Sequence, residues 1–195
     1  MKESFLFLAD GFEEMEAISA IDILRRAGMS LKTVSITSAL QVKGAHGITI
    51  TADVIYDNTL FKDIDWLILP GGMPGATNLY EFAPLQGLLS SHHSKGGRIA
   101  AICAAPAVVL AQSGLLAGHH ATCYPGFEGM LGEDIYEDRP VVVSKNIVTG
   151  NGPGNAMLWA LNIVKCQFGE EVANRVAGDL LLFPKEFSET DLYFG

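Results

Sequence analysis

The alternation of short uncharged segments with amphipathic ones is the feature that most limits how this chain can fold. Residues 4–9, SFLFLA, form a continuous apolar run, which is typical of a strand buried on both faces. Residues 13–28, EEMEAISAIDILRRAG, place apolar side chains at helical spacing, with acids in the first turn, arginines in the last and a glycine at the end. Residues 31–37, LKTVSIT, alternate and are rich in β-branched side chains, so they predict a second strand. A strand, a helix and a strand in this order indicate a parallel sheet.

The rest of the chain repeats this alternation. Further strands are predicted in DWLILPGG (65–72), RIAAIC (98–103), HATCY (120–124) and, as a pair, RPVVVSKNIVTG (139–150). Further helices are predicted in APLQGLLSSHHSKGG (83–97), APAVVLAQSGLL (105–116), NAMLWALNIVKCQFG (155–169) and EEVANRVAGDLL (170–181). Residues 42–53, VKGAHGITITAD, predict a small hairpin or a bulged edge, and the strand predicted in residues 65–72 runs into a glycine turn. We therefore predict a single α/β domain over residues 1–195, a three-layer α/β/α sandwich with a mostly parallel sheet.

The acidic charge argues against some classes of partner. The chain of 195 residues has a formal net charge of −9 and a pI near 4.9, which disfavours nucleic acid or an anionic membrane surface as the main partner. The longest uncharged stretch, residues 99–118, is broken by Pro106 and Gly114, so it predicts a strand plus a helix and no membrane span. The amino terminus turns acidic where a signal peptide continues apolar. Three cysteines without framework spacing favour free thiols in a reducing cytoplasm.

Three segments leave predicted strands at one edge of the sheet, where doubly wound folds bind their ligands. They are ADGFEEME (9–16), PGGMPGATN (70–78) and CAAPA (103–107). Because the carboxyl ends of parallel strands share one edge, the topology brings the acids at 13, 14 and 16, the glycine pair at 71 and 72 and Cys103 towards one another. The candidate site of this chain is therefore expected at that edge.

Cys103 has two interpretations. It stands where a strand passes into a helix, and a thiol at a helix amino terminus faces unpaired N–H groups that lower its pKa from about 8.5 into a range of about 3.5–7.5. In this interpretation Cys103 is a nucleophile and the most acidic of the three thiols. In the other it is a small buried residue that only fills space.

Glu16 and the glycine pair also have two interpretations each. Acids in a first helical turn stabilise the helix amino terminus, but a carboxyl buried beside a thiolate has a raised pKa, stays protonated and donates to the sulfur. Gly71 and Gly72 form either a plain tight turn or a pair of N–H groups that bind an oxyanion.

The remaining motifs favour structural roles. The pairs His92–His93 and His119–His120 lack the context of metal ligands and are expected to be solvated, so no metal site is predicted. Cys166 lies in an apolar helix and is expected in the core. TGNGPGNA (149–156) lacks the lysine of a phosphate-binding loop and is expected to be a turn.

Four segments together resemble one known family. They are LADGFEEMEAISAIDILRRAG (8–28), LILPGGMPGATNL (67–79), IAAICAAPAVVLAQSGLL (99–116) and VTGNGPGNAMLWALNIV (148–164). In this order they resemble the DJ-1/ThiJ/PfpI family, and within it the DJ-1 branch. The resemblance covers nearly the whole chain. It implies a flavodoxin-like sandwich that forms a homodimer and needs no cofactor.

The resemblance also implies roles for individual residues. It makes Cys103 the reactive elbow cysteine and Glu16 the protonated glutamate against its sulfur. The N–H groups of Gly71, Gly72 and Ala104 become the anion or oxyanion site. In the segment ATCYPGFE, Tyr124 stands where part of the family has a histidine, so a Cys–His triad has no support. His46 in AHG replaces a basic residue that is often found in the family. Tyr124 and His46 are both possible outer residues of the site.

Two functions follow from this resemblance. The first is a cofactor-independent glyoxalase or deglycase, in which the Cys103 thiolate attacks methylglyoxal or a related 2-oxoaldehyde and Glu16 moves a proton. The second is an oxidative-stress sensor or redox chaperone, in which Cys103 is oxidised to a sulfinate with little turnover. Turnover of methylglyoxal without glutathione distinguishes the two.

Overall fold

A seven-stranded sheet forms the middle layer of the structure, a computed structural model that describes residues 2–182. Its strand order is β5-β2-β1-β6-β7-β9-β8, and all neighbours are parallel except β8 and β9. The strands are β1 (Glu3–Leu8), β2 (Leu31–Ser35), β5 (Val54–Ile55), β6 (Ile64–Leu69), β7 (Arg98–Ile102), β8 (Val141–Ser144) and β9 (Ile147–Gly150). The four central strands are almost wholly buried, as their continuous apolar sequences predict.

Helices cover both faces of this sheet. The helices are α1 (Glu14–Arg26), α2 (Gly75–Glu81), α3 (Ala83–Ser94), α4 (Glu128–Leu131), α5 (Ala156–Phe168) and α6 (Glu170–Asp179). One buried cluster joins α1, α5 and α6 to one face, and a second joins α2, α3 and α4 to the other. The predicted three-layer sandwich with a mostly parallel sheet is confirmed. The prediction of one domain over residues 1–195 extends beyond the described residues and stays a prediction.

A two-stranded hairpin lies outside the main sheet. Its strands, β3 (Gln41–Lys43) and β4 (Thr49–Thr51), pair antiparallel, as the sequence predicts. The Gly11 N–H donates to the carbonyl of Lys43 at 2.7 Å, and the Ala45 N–H donates to that of Phe12 at 2.8 Å. These bonds attach the hairpin to the loop after β1. The described residues contain no helix that is long and apolar enough to cross a membrane.

Two predicted elements differ in the structure, and one helix forms that was not predicted. Residues 120–124 form no strand, because Ala121 makes only an isolated bridge to Tyr136. The helix predicted over 105–116 is a short π-helix (Pro106–Ala111) that gives way to turns before Gly114. The sequence pattern predicts no helix where α2 forms after the glycine turn, and α2 buries Ala76 and Leu79 against the sheet although its sequence is rich in turn formers.

The burial of several side chains also corrects the sequence analysis. Cys166, in the last turn of α5, is exposed and is not part of the core. His92 and His119 are buried, so these two members of the histidine pairs are not solvated. Each ring contacts a backbone carbonyl. A ring nitrogen of His92 lies 3.2 Å from the carbonyl oxygen of Arg98, and a ring nitrogen of His119 lies 3.1 Å from the carbonyl oxygen of Ser144.

Gly75 fixes how α2 packs against the loop after β1, and this generates a stability prediction. A Cβ on Gly75 would lie 2.6 Å from the carbonyl oxygen of Gly11 and 2.6 Å from the nitrogen of Phe12. Since both are backbone atoms, we expect Gly75→Ala to lower the free energy of unfolding by about 1–3 kcal/mol. The control is Gly87→Ala in α3, where a Cβ has open space and helix propensity raises stability by about 0.5–1 kcal/mol. Urea denaturation measures both, and equal stability of the two variants would contradict the prediction.

Candidate active site

The loops after three adjacent strands meet at one edge of the sheet. β1, β6 and β7 are neighbours, so the chain that follows each of them emerges at the same end. α1 begins in the first loop with Glu14, Gly71 and Gly72 lie in the second, and Cys103 begins the third. This placement agrees with the edge predicted from the sequence.

Cys103 occupies a strained elbow. Its φ is +65°, a left-handed conformation that costs energy in a residue with a side chain. Its N–H donates to the carbonyl of Gly150 at 2.9 Å, and its own carbonyl accepts from the Tyr124 N–H at 2.8 Å. The first of these bonds continues the β7–β9 ladder by one residue. The sheet and the following loop thus hold the backbone on both sides, and the side chain is only 7% exposed.

Glu16 is fully buried in the first turn of α1. Its Oε2 accepts the Gly71 N–H at 2.7 Å, and its backbone N–H donates to Oε2 of Glu13, the N-cap of the helix, at 2.7 Å. Its Oε1 makes no hydrogen bond within residues 2–182, and the carboxyl group as a whole lies beside the thiol of Cys103. The carboxyl is therefore fixed at one oxygen and available for a proton at the other.

Gly71 lies directly between the acid and the thiol. A Cβ on Gly71 would lie 2.6 Å from Cβ of Cys103 and 2.9 Å from Oε2 of Glu16. No side chain fits in that space, so only glycine permits the two functional groups to approach each other this closely. The strand that precedes Gly71 holds it there, because β6 pairs with both β1 and β7.

Burial sets the protonation of this pair. Burial raises the pKa of Glu16 to about 7, although the hydrogen bonds from Gly71 and Cys103 act in the opposite direction. Burial also raises the pKa of the Cys103 thiol, and an ionised Glu16 raises it further. The lowered pKa of the Cys103 thiol that the helix start predicts is therefore wrong. Desolvation of the thiol and the neighbouring carboxylate of Glu16 outweigh the effect of the helix start.

Two backbone N–H groups face the sulfur of Cys103. Those of Gly72 and Ala104 both lower the pKa of the thiol, because they stabilise negative charge on the sulfur. The Gly71 N–H is not among them, since it donates to Glu16. Of the three N–H groups named from the sequence, the structure therefore directs two towards the sulfur and one towards the acid.

His46 is connected to the candidate site by its contacts with Glu14. Nδ1 of His46 lies 2.8 Å from Oε2 of Glu14, and the other oxygen of Glu14 accepts the His46 N–H at 2.7 Å. Burial raises the pKa of Glu14, but the hydrogen bonds from His46 and Ile48 outweigh this and lower it. The sequence places Glu14 at this edge but does not predict its contact with the hairpin. The only signal for that contact in the sequence is His46, which lies between Gly44 and Gly47.

Glu13, Glu14 and His46 also bring three atoms of metal-ligand types within 4.8 Å of one another. The oxygens of Glu14 already accept three hydrogen bonds, and Glu13 caps α1. Both carboxylates therefore already accept hydrogen bonds from the chain.

Tyr124 lies at the rim and is 44% exposed. A Cβ on Gly152 would lie 3.2 Å from its ring, so the ring covers the loop before α5. The backbone of Tyr124 contacts Cys103, while its side chain makes no hydrogen bond within residues 2–182.

The chain is similar to known proteins over most of its length. The model of the DJ-1/PfpI family matches residues 2–166. Protein DJ-1 homolog B of Arabidopsis thaliana is 35% identical over 196 residues, which cover 98% of this chain and 44% of the relative. Glutathione-independent glyoxalase DJR-1.2 of Caenorhabditis elegans is 37% identical over 172 residues, which cover 87% of this chain and 90% of the relative. The chain spans about half the length of the Arabidopsis relatives it matches.

The fold has a close counterpart among solved structures. Oxidised Toxoplasma gondii DJ-1 superimposes with a TM-score of 0.90 at 37% identity, over 93% of this chain and 98% of the other. This likeness confirms the flavodoxin-like sandwich that the resemblance implied. With a family model that covers most of its length and relatives above 30% identity, the chain belongs to the DJ-1/PfpI family.

Proposed function

We propose that the protein is a cofactor-independent glyoxalase that acts on methylglyoxal or a related 2-oxoaldehyde, with Cys103 as the nucleophile. The observation that carries this proposal is the buried carboxyl of Glu16 beside the elbow thiol, with a pKa of about 7 and a free Oε1. A carboxyl whose pKa lies near the working pH both accepts and returns a proton efficiently. The name of the C. elegans relative supports the same reaction class.

The first step forms a carbon–sulfur bond. The sulfur of Cys103 attacks the aldehyde carbon while ionised Glu16 takes the thiol proton on Oε1. The aldehyde oxygen gains negative charge, which the N–H groups of Gly72 and Ala104 stabilise, and then receives the proton. The product of this step is a hemithioacetal, and Glu16 is again ionised.

The second step moves a proton between neighbouring carbons. Glu16 removes the hydrogen from the carbon that carries the sulfur, and the electron pair forms an enediol with the adjacent carbonyl. Glu16 passes this proton to the former carbonyl oxygen, which completes the enediol. It then takes the proton of the hydroxyl on the sulfur-bearing carbon and delivers it to the adjacent carbon, which gives a thioester of a 2-hydroxy acid. Water then cleaves the carbon–sulfur bond, and the thiol takes up a proton. One carbon is oxidised and its neighbour reduced, so no external oxidant or cofactor is required.

The raised pKa of the thiol fits this mechanism when the pair is treated as one unit that shares a proton. Transfer of that proton from Cys103 to Glu16 does not change the protons bound by the pair. The reactive thiolate therefore forms only together with a protonated Glu16, as the resemblance implied. The thiol of Cys103 is consequently protonated and unreactive in the resting protein, and Glu16 activates it by accepting its proton. Removal of glycation adducts from thiols or amines would use the same steps.

An oxidative-stress sensor is the second candidate. The N–H groups of Gly72 and Ala104, which face the sulfur, would also bind the negative oxygens of a sulfinate. A related structure, that of T. gondii DJ-1, is described as oxidised. In this alternative Cys103 reacts with peroxide and the protein has little turnover of aldehydes.

We further propose that the protein acts as a homodimer in a reducing cytoplasm. Its three cysteines are all free, which fits a reducing compartment. α1 packs against α5, and the loop of the hairpin contacts Glu14 at the start of α1. Exposed apolar side chains occur on these three neighbouring segments: Met15, Ile18, Ile48, Met157 and Leu158. Such a surface is suited to a second copy of the chain.

Substitution of the nucleophile tests the glyoxalase directly. We expect Cys103→Ser to lower methylglyoxal turnover, measured without glutathione, by roughly 10³-fold or more, because the hydroxyl is a far weaker nucleophile. The control is Cys166→Ser, which removes the exposed thiol at the end of α5 and leaves turnover unchanged. Turnover that survives in Cys103→Ser contradicts the mechanism. Absent turnover in the wild type, with peroxide converting Cys103 to a sulfinate by mass spectrometry, would favour the sensor.

Substitution of the acid tests proton transfer. We expect Glu16→Gln to lower turnover by roughly 10²–10⁴-fold, because an amide donates a hydrogen bond but does not accept and return a proton. The control is Glu171→Gln on the exposed side of α6, with turnover unchanged. Unchanged turnover in Glu16→Gln removes Glu16 from the mechanism.

The pH dependence of stability gives the Glu16 variant a second readout. The native pKa of about 7 lies above the ordinary value of 4.5, so the native state binds this proton more tightly than the unfolded state. The stabilisation is complete below pH 4.5 and is lost as the pH rises through 7. Between pH 4.5 and 8, Glu16→Gln should therefore gain up to roughly 3 kcal/mol relative to the wild type. A constant difference between the two proteins would contradict a raised pKa.

Light scattering at micromolar concentration tests the homodimer. We expect the wild type to have the mass of a dimer and Ile18→Lys that of a monomer, because a charge in an apolar interface is costly to desolvate. The control is Val143→Lys, since Val143 on the edge strand β8 is 47% exposed and Ile18 is 46% exposed. A monomeric wild type, or dissociation caused equally by both substitutions, would exclude the proposed interface.

A further inference from the structure

A large cavity opens at the edge of the sheet opposite the Cys103 site. It has a volume of about 530 Å³ and lies among the first residues of β6 and β7 and the end of α3. Cys103, Gly71 and Gly72 follow the carboxyl ends of the same two strands, so the sheet separates the cavity from the candidate active site. A cavity of this size is in the range that holds small organic molecules.

The wall of the cavity is rich in cationic side chains, although the protein is acidic. Lys2, Lys62, Lys95 and Arg98 line it, against the two carboxylates of Asp63 and Asp65. The chain as a whole has 13 lysines and arginines, 22 acids and a net charge of −9. The cavity is therefore a local region of positive charge on a negatively charged molecule.

Both carboxylates of the cavity have partners, although the neutral amide that binds Asp65 leaves its charge in place. Asp63 pairs with Lys2 at 3.1 Å. Asp65 accepts the side-chain amide of Gln167 at 2.7 Å. Neither aspartate is paired with the remaining cations of the wall.

The remaining cations lack carboxylate partners. Within residues 2–182, five lysines and arginines form no ion pair: Lys43, Lys62, Lys95, Arg98 and Lys145. Three of these five line this one cavity. Arg98 is held by neutral groups, since it donates to Gln167 and lies 5.4 Å from the centre of the Trp66 ring, so its charge is not neutralised.

We propose that this cavity binds a small organic anion of more than one negative charge, with an organic phosphate as the ligand class. The ammonium groups of Lys62 and Lys95 contact its charged group, as lysines do with phosphates, and the half-buried Arg98 adds a further positive charge. Phe61, Ile64 and Leu88 offer apolar contact to the remainder of the molecule. The site is independent of the proposed glyoxalase reaction, because it shares no residue with the Cys103 site.

Phenyl phosphate is a suitable probe, because it combines a dianionic group with an apolar ring. We expect it to bind in a titration followed by NMR, with the amide signals of Gly96 and Gly97 at the cavity moving and those of Gly71 and Gly72 unchanged. Binding should weaken as salt is added, since the attraction is between partly exposed charges. Phenol, which has the same ring without the charge, should not bind.

A double variant tests the two lysines. We expect Lys62→Ala with Lys95→Ala to weaken the binding of phenyl phosphate by about tenfold, since each removes one exposed charge contact. The matched control is Lys43→Ala, which removes a lysine without an ion pair from the hairpin outside the cavity, and its affinity should equal that of the wild type. Both lysines are exposed, so the variants should fold, which an unchanged amide spectrum away from the cavity verifies. No binding to the wild type, equal binding by the double variant, or shifts confined to the Cys103 site would overturn the proposal.

Discussion

The absence of a side chain at Gly71 is the constraint on which the candidate site depends. It lets the carboxyl of Glu16 and the thiol of Cys103 lie on either side of one backbone segment, and the same residue's N–H fixes one oxygen of the acid. Three adjacent parallel strands hold the three loops in place. The strained backbone of Cys103 is tolerated because the ladder to β9 and the bond from Tyr124 determine its conformation.

Burial gives this pair its chemistry as well as its geometry. An exposed glutamate beside a cysteine would be ionised and would only repel a thiolate. Here desolvation raises the pKa values of both groups, so the pair retains at least one proton at neutral pH. The N–H groups of Gly72 and Ala104 offset part of the cost of charge on sulfur. The same environment suits a nucleophile that is used repeatedly and a sulfur that is oxidised once, which is why turnover distinguishes the two functions.

The two ends of the sheet differ in charge and in chemistry. At the carboxyl end, Glu13, Glu14 and Glu16 are buried or nearly so, and each is held by backbone N–H groups or by His46. At the amino end, cations gather around a cavity whose carboxylates have partners. The proposed aldehyde site and the proposed anion site therefore lie at opposite ends of the sheet.

The sequence by itself determined the layer architecture and the members of the site. Continuous apolar strands and amphipathic helices are local patterns, and parallel pairing then brings the loops of Glu16, Gly71 and Cys103 to one edge. Tertiary structure alone decided the direction of the Cys103 pKa, the use of the Gly71 N–H by Glu16 and the contact of His46 with Glu14, because each depends on burial or on residues more than 30 positions apart. It also decided that Cys166 is exposed and that α2 forms, since composition gives the type of a segment but not the surface it packs against.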